Sequence, residues 1–226
     1  VVKQRTRSAM KADNAKVVAI TSARPGEGKT TIAYNLAKAL STGKSKVLLL
    51  DMDLRRRTLQ ASLNKKKQVP DSGITDVAAG KLQIEDAINS VSDTFDVLFA
   101  GTDDAKFRKQ KYEPIMEYLR AEYDCIVVDL SNCGLASETA AIADLCDDIL
   151  FVIKWNTVSI DDILAASKYM SFSKAKIAGY ILNSVPIEAG EYGGYKHYGR
   201  YGRRRYGYGY GYGYGYGYGY GYGARE

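Results

Sequence analysis

Hydrophobic positions along this chain fall into short continuous runs, separated by stretches where they recur every three or four residues. Val17, Val18 and Ile20 form a β-branched run that reads as a strand, and Ile32, Ala33, Leu36, Ala37 and Leu40 follow at the spacing of one helical face. Ser41-Thr42-Gly43 ends that helix, and Lys46 to Leu50 reads as a strand buried on both faces. Two short helical patterns, Ile74 to Ala79 and Gln83 to Ile88, precede a strand from Phe95 to Phe99 that Gly101 closes. Thr102 to Lys111 is charged and reads as a loop. The spacing then predicts a helix over Tyr112 to Glu122, a strand over Cys125 to Val128 and a helix over Ser137 to Cys146. A strand at Ile149 to Ile153, a helix at Ile160 to Met170 and a strand at Ile177 to Leu182 complete the series. Alternating strands and helices predict an α/β fold with a mostly parallel sheet covered on both faces, which collects ligands at the carboxyl ends of its strands.

Two segments stand outside the alternation. Residues 1–16 fit a helix from Val2 to Lys11, but their polar, basic composition favours a solvated arm. From residue 190 the chain holds thirteen of its nineteen tyrosines: Tyr192, Tyr195, Tyr198, Tyr201, Tyr206, Tyr208, Tyr210, Tyr212, Tyr214, Tyr216, Tyr218, Tyr220 and Tyr222. From Tyr206 they alternate strictly with glycine, a composition that predicts a disordered tail. The expected organisation is a basic arm over 1–16, a catalytic domain over 17–189 and a tail over 190–226.

The first strand runs into Ala23-Arg-Pro-Gly-Glu-Gly-Lys-Thr-Thr31, and here the pattern acquires chemistry. It follows G-x-x-x-x-G-K-[ST] with Ala23 in place of the first glycine, in the strand–turn–helix context that a phosphate-binding loop requires. Backbone N–H groups from Ala23, Arg24, Pro25, Gly26, Glu27 and Gly28 onward would wrap a nucleotide, with the proline lending only its shape. Lys29 would reach the outer phosphates, Thr30 would ligate Mg²⁺, and Thr31 would continue the cradle. Glu27 is expected to be solvated. Asp51, Asp53 and Asp129 lie at or just past strand ends next to this loop, where phosphoryl transfer needs carboxylates to hold a metal and to position or deprotonate the attacking oxygen. Strand-terminal aspartates also cap loops and helices, and Arg55-Arg-Arg57 and Lys65-Lys-Lys67 read first as solvated surface.

Charge and cysteine content exclude other classes. The net charge of +6 resides in the two ends, about +4 each, leaving the body slightly acidic, so no nucleic-acid surface is expected. Cys125, Cys133 and Cys146 show no C-x-x-C spacing and read as reduced thiols, and the only histidine, His197, lies in the tail, which disfavours zinc sites and histidine triads. No run approaches the length of a membrane span and no signal peptide is visible, although the chain begins with Val1 and fits excision from something longer.

These motifs resemble the bacterial tyrosine kinases, P-loop proteins of capsule and exopolysaccharide assembly. Ala23 to Thr30 is similar to their first motif, and Leu48-Leu-Leu-Asp-Met-Asp-Leu-Arg55 to their second, three apolar residues followed by Asp-x-Asp-x-Arg. The likeness continues through Gly73 to Val77, Tyr123 to Asp129 and Ile181-Leu-Asn183 into the tail. The resemblance implies a P-loop NTPase-like fold and an autokinase that uses ATP, releases ADP and needs Mg²⁺. It implies that Asp51 activates the tyrosine hydroxyl, that Asp53 and Asp129 organise the metal with Thr30, and that Asn183 faces the adenine. It also implies a membrane-embedded activator, fused or separate, at the inner face of the plasma membrane, a homo-oligomer, commonly a ring, and an opposing tyrosine phosphatase. Glycine spacing and tethering suit the tail as phosphoacceptor, and two or three phosphates, at about −1.5 to −2 each, would cancel its charge. A sticky tract that stacks on other tails or on single-stranded RNA is the competing reading.

Three features depart from the family pattern. The third motif, usually Asp-Thr-Pro-Pro, is Asp129-Leu-Ser-Asn132. Only Arg7 matches the Glu-x-x-Arg-x-x-Arg of ring assembly, and a proline-rich loop near 102–112 is replaced by charged residues. A divergent nucleotide-gated regulatory module is therefore the alternative function. Partition and septum-positioning ATPases are a third reading, set aside because they place lysine where Arg24 stands and lack the tail.

Overall fold

The computed structural model describes residues 2–64, 71–103, 106–133 and 137–186. The elements in order are α1 (Val2–Asp13), β1 (Val17–Ser22), α2 (Lys29–Leu40), β2 (Val47–Met52), α3 (Thr58–Asn64), α4 (Ile74–Ala78) and α5 (Ile84–Ala87). They continue with β3 (Ile88–Ser92), β4 (Phe95–Leu98), α6 (Lys109–Glu122), β5 (Cys125–Leu130), α7 (Ser137–Ala143), β6 (Asp148–Lys154), α8 (Ile160–Met170) and β7 (Lys176–Asn183). The seven strands form one sheet in the order β3-β4-β2-β5-β1-β6-β7, parallel throughout except where β3 pairs antiparallel with β4.

β1, β2 and β5 are buried along their whole length. Their continuous apolar runs follow from helices on both faces, which leave no position for a polar side chain until the strand ends. Alternate residues feed two separate cores. Val17, Ala19, Leu48, Leu50, Ile126 and Val128 pack with Met116 and Leu119 of α6, Ile142 of α7 and Met170 of α8. Val18, Ile20, Val47, Leu49 and Val127 pack with Ala33, Leu36, Ala37 and Leu40 of α2, with Leu59 of α3 and with Met10 of α1.

That last contact corrects the expectation of a solvated arm. α1 buries Thr6 and Met10, one helical turn apart, and the Arg7 guanidinium donates to the Leu40 carbonyl at 2.9 Å. A helix this polar is held by one narrow face, which its composition conceals. The expected helix over Gln83 to Ile88 stops at Ala87, and Ile88 opens the edge strand β3, whose residues are half-exposed to exposed. α3 went unpredicted because a single residue, Leu59, anchors its first turn in the core. The three cysteines are free and buried, and burial pushes their thiols up, to about 12 at Cys125 and Cys146 and about 11 at Cys133. Among the described residues no helix is long and apolar enough to cross a membrane. The tail tyrosines lie outside the described residues.

Candidate active site

The carboxyl ends of β1, β2 and β5 converge because these strands are adjacent in the sheet. Beyond β1 the chain turns through Ala23 to Gly28 and enters α2 at Lys29. Gly26 and Gly28 take φ of +80° and +94°, the left-handed region in which a side chain is strained. At Gly28 a Cβ would also strike the Asn183 amide. Ala23 is buried and is absent from the left-handed positions, which is why alanine serves where the motif usually has glycine. α2 has no side-chain cap, so its first N–H groups stay open to an anion.

Glu27 corrects a second expectation: it is 1% exposed. One carboxylate oxygen accepts the Arg24 N–H at 2.6 Å, and the other accepts the Lys154 N–H at the end of β6 at 3.1 Å. The Glu27 carbonyl in turn accepts from Asn183 Nδ2 at 2.9 Å, and Asn183 Oδ1 accepts the Ser184 N–H at 2.9 Å. The phosphate loop is thereby fastened to the ends of β6 and β7. Outside it, the Arg24 guanidinium pairs with Asp162 of α8 at 2.9 Å.

Asp51 and Asp129 stand directly opposite each other on neighbouring strands, and both are fully buried. Burial first, and then the Asp129 charge, hold the Asp51 carboxyl well above the usual range. Burial likewise pushes Asp129 up to about 7, against the opposing pull of the nearby Thr30 hydroxyl and Lys29 ammonium. Neither Asp129 oxygen meets a partner in ordinary hydrogen-bond geometry, and Asp51 Oδ2 has none either. Asp51 Oδ1 accepts the Asp53 N–H at 3.0 Å; Asp53 Oδ1 accepts Ser131 Oγ at 2.8 Å and the Arg56 N–H at 3.3 Å.

Among the described residues, no three His, Cys, Asp or Glu side chains group as a metal-binding set. Asp129, with neither oxygen partnered among the described residues, beside the Thr30 hydroxyl and with the free Oδ2 of Asp51 opposite, nevertheless fits Mg²⁺, which takes one or two carboxylates and draws its other ligands from water and substrate phosphates.

The proline-free loop after Asp129 is held by other means. Thr21 Oγ1 donates to the Ser131 carbonyl at 2.8 Å, the Cys133 N–H donates to the Ser22 carbonyl at 2.9 Å, and Ser131 reaches Asp53. The structure therefore brings together Lys29, Thr30, Asp51, Asp53 and Asp129, and sets Asn183 against the loop. Sequence reasoning passed over Ser131 and Asn132; their place directly after a strand-end aspartate was the available signal.

The chain has relatives among known proteins. The family described as AAA domain matches residues 15–176. Tyrosine-protein kinase CpsD of Streptococcus pneumoniae is 27% identical over 198 residues, covering 85% of this chain and 86% of that protein. The crystal structure of the VpsO kinase domain superposes with a TM-score of 0.71 at 28% identity, over 82% of this chain and 94% of that one. The septum site-determining protein MinD of Pyrococcus horikoshii, solved with Mg-ADP, gives 0.64 at 26% identity over 77% and 75%. This chain belongs to the AAA-domain family and, within it, to the bacterial tyrosine kinases.

Proposed function

We propose that this chain is an ATP- and Mg²⁺-dependent autokinase that phosphorylates the tail tyrosines between copies and thereby regulates capsular or exopolysaccharide synthesis and export. The observation that supports it most is the facing pair Asp51 and Asp129, three of whose four carboxylate oxygens lack a partner among the described residues, beside Lys29 and Thr30. A tail phenol oxygen from one copy attacks the terminal phosphorus of ATP on another. A new P–O bond forms as the bond to the bridging oxygen breaks, and ADP leaves with that electron pair. Asp51 takes the phenol proton, because burial and the neighbouring Asp129 charge raise its proton affinity. Lys29 and the open N–H groups of α2 bind the phosphates, and Asn183 faces the base.

Thr30, Asp53 and Asp129 would hold Mg²⁺, with the Ser131 hydroxyl fixing Asp53. When bound, the ion offsets charge on the phosphate oxygens. A membrane-embedded activator at the inner face of the plasma membrane would switch the enzyme on, and a tyrosine phosphatase would reset it. The hydrogen bonds that pin Ser131 favour an active site over a merely nucleotide-gated module. Purified protein given labelled ATP and Mg²⁺, with and without an activator segment, should label residues between Tyr192 and Tyr222, and Lys29→Met should abolish the label. Nucleotide binding without transfer under every condition would refute the kinase.

A further inference from the structure

The loop after Asp129 holds a group that the transfer chemistry above does not use. Asn132 is 4% exposed, and its Nδ2 has no hydrogen-bond partner among the described residues. A bare buried amide donor costs about 1–3 kcal/mol, and one kept in a native site calls for an explanation. Asn132 lines a groove of about 550 Å³ with Ala23, Arg24 and Pro25 of the phosphate loop and Asp162, Ala166 and Tyr169 of α8, and Arg24 and Asp162 are paired with each other at 2.9 Å. The volume suits a small-molecule-sized group, and with that ion pair already matched, the Asn132 amide is the polar atom left to fix such a group's orientation.

The orphans of the site differ in sign. Asp51 Oδ2 and both Asp129 oxygens lack donors among the described residues, so they call for a proton or a cation; Asn132 Nδ2 lacks an acceptor, so it calls for an oxygen lone pair. Because Arg24 is already paired with Asp162, a fully charged phosphate would meet a carboxylate as well as a guanidinium here, whereas a neutral phenol beside Ala23, Ala166 and Tyr169 would not.

We propose that this groove is the acceptor subsite, in which Asn132 Nδ2 donates to the phenol oxygen of an incoming tyrosine. The inference rests on the tyrosine-kinase reading and adds a residue to it. Asn132 stands where the family pattern has proline, so the contact belongs to this chain's own version of the third motif. The amide orients the phenol oxygen and, as the proton leaves, stabilises the charge that develops there.

The test is a binding cycle that needs no catalysis. Two synthetic peptides, one copying Tyr206 to Gly223 and one with every tyrosine replaced by phenylalanine, are titrated into the full-length protein loaded with Mg-ADP. The same titrations are run on Asn132→Leu, which keeps the volume and removes the donor. The chain's own tail competes equally with both peptides and leaves their ratio unchanged. The wild type should prefer the tyrosine peptide by about tenfold, the worth of one hydrogen bond to a buried donor. Asn132→Leu should lose that preference while keeping its ADP affinity, and its melting temperature should hold or rise because the bare donor is gone. An undiminished preference in the variant overturns the subsite. So does a selective loss of affinity for a non-hydrolysable ATP analogue over ADP, which would assign the amide to the terminal phosphate. If the wild type labels no tyrosine with ATP, the kinase reading fails in a different assay, and the subsite falls with it.

Discussion

Replacing Glu27 by alanine should destabilise the protein more than any exposed substitution in the phosphate loop. Its two carboxylate oxygens are the acceptors of the Arg24 and Lys154 N–H groups, at 2.6 and 3.1 Å, in a position 1% exposed. Truncation leaves two part-buried donors bare, each worth at most about 1–3 kcal/mol and less where water reaches it, so the loss is at most about 2–6 kcal/mol if the loop does not relax. Against the roughly 5–15 kcal/mol of a typical domain, that is a large fraction. Glu27→Gln keeps one acceptor and should lose about half as much. Urea unfolding followed at Trp155, the only tryptophan and the neighbour of Lys154, measures both variants. Nucleotide affinity should fall with stability, because Glu27 sets the loop's shape while its carbonyl holds Asn183. If Glu27→Ala unfolds within about 0.5 kcal/mol of the wild type, as neutral surface changes do, the buried-strut reasoning is wrong.

Gly28→Ala should abolish nucleotide binding, measured by calorimetry, through both its φ of +94° and the clash with Asn183; adding Asn183→Ala should relieve only the clash. Asp51→Asn should lower phosphate transfer by about 10²–10⁴-fold at unchanged ADP affinity, whereas a parallel loss of affinity would make Asp51 a metal ligand. Asp129 gives a pH signature in metal-free protein. Its folded pKa, about 7, lies above that of an ordinary carboxylate, so between about pH 4 and 7 the native state binds a proton that the unfolded state releases. Stability should therefore fall with rising pH across that window, by about 4 kcal/mol for a shift of about three units. Asp129→Asn should reduce the slope and leave the part that the raised Asp51 carboxyl contributes, and adding Mg-ADP should also reduce it, both read from urea melts at fixed pH values. Arg24→Ala, which removes a largely exposed ion pair, should change stability by less than about 1 kcal/mol.

The sheet was legible because its strands are buried on both faces, and Val17, Val18, Ile20 and Lys46 to Leu50 advertise that without help from context. The site was legible where chemistry is local: Gly26, Gly28, Lys29 and Thr30 lie within five residues, and Asp51 and Asp53 at one strand end. What escaped depends on distant backbone. Glu27 looks like any charged loop residue until the Lys154 N–H, 127 positions later, arrives to bond it. Met10 of α1 is one apolar residue on a basic helix, and only the folded α2 and β5, where Cys125 Sγ lies 3.9 Å from its sulfur, provide the surface that buries it. β3 carries too few apolar residues for a period to register, because a half-exposed edge strand demands few.

The third motif shows how far a departure from a family pattern can be judged without coordinates. Prolines restrict a loop by removing backbone freedom from the unfolded chain, an effect independent of the loop's neighbours. Asp129-Leu-Ser-Asn132 gives up that restriction and gains side chains that can form hydrogen bonds, so its rigidity depends on what lies nearby. Ser131 reaches Asp53, Thr21 holds the Ser131 carbonyl, and the Cys133 N–H returns to Ser22, which ties the loop to β1 and to the segment after β2. Proline could not have supplied the Ser131 hydroxyl that orients Asp53, nor the Asn132 amide that stays unpaired beside the phosphate loop. The same exchange that removes rigidity by composition therefore restores it by contact and adds one donor, and that donor is where this chain's chemistry should differ from that of a relative with prolines.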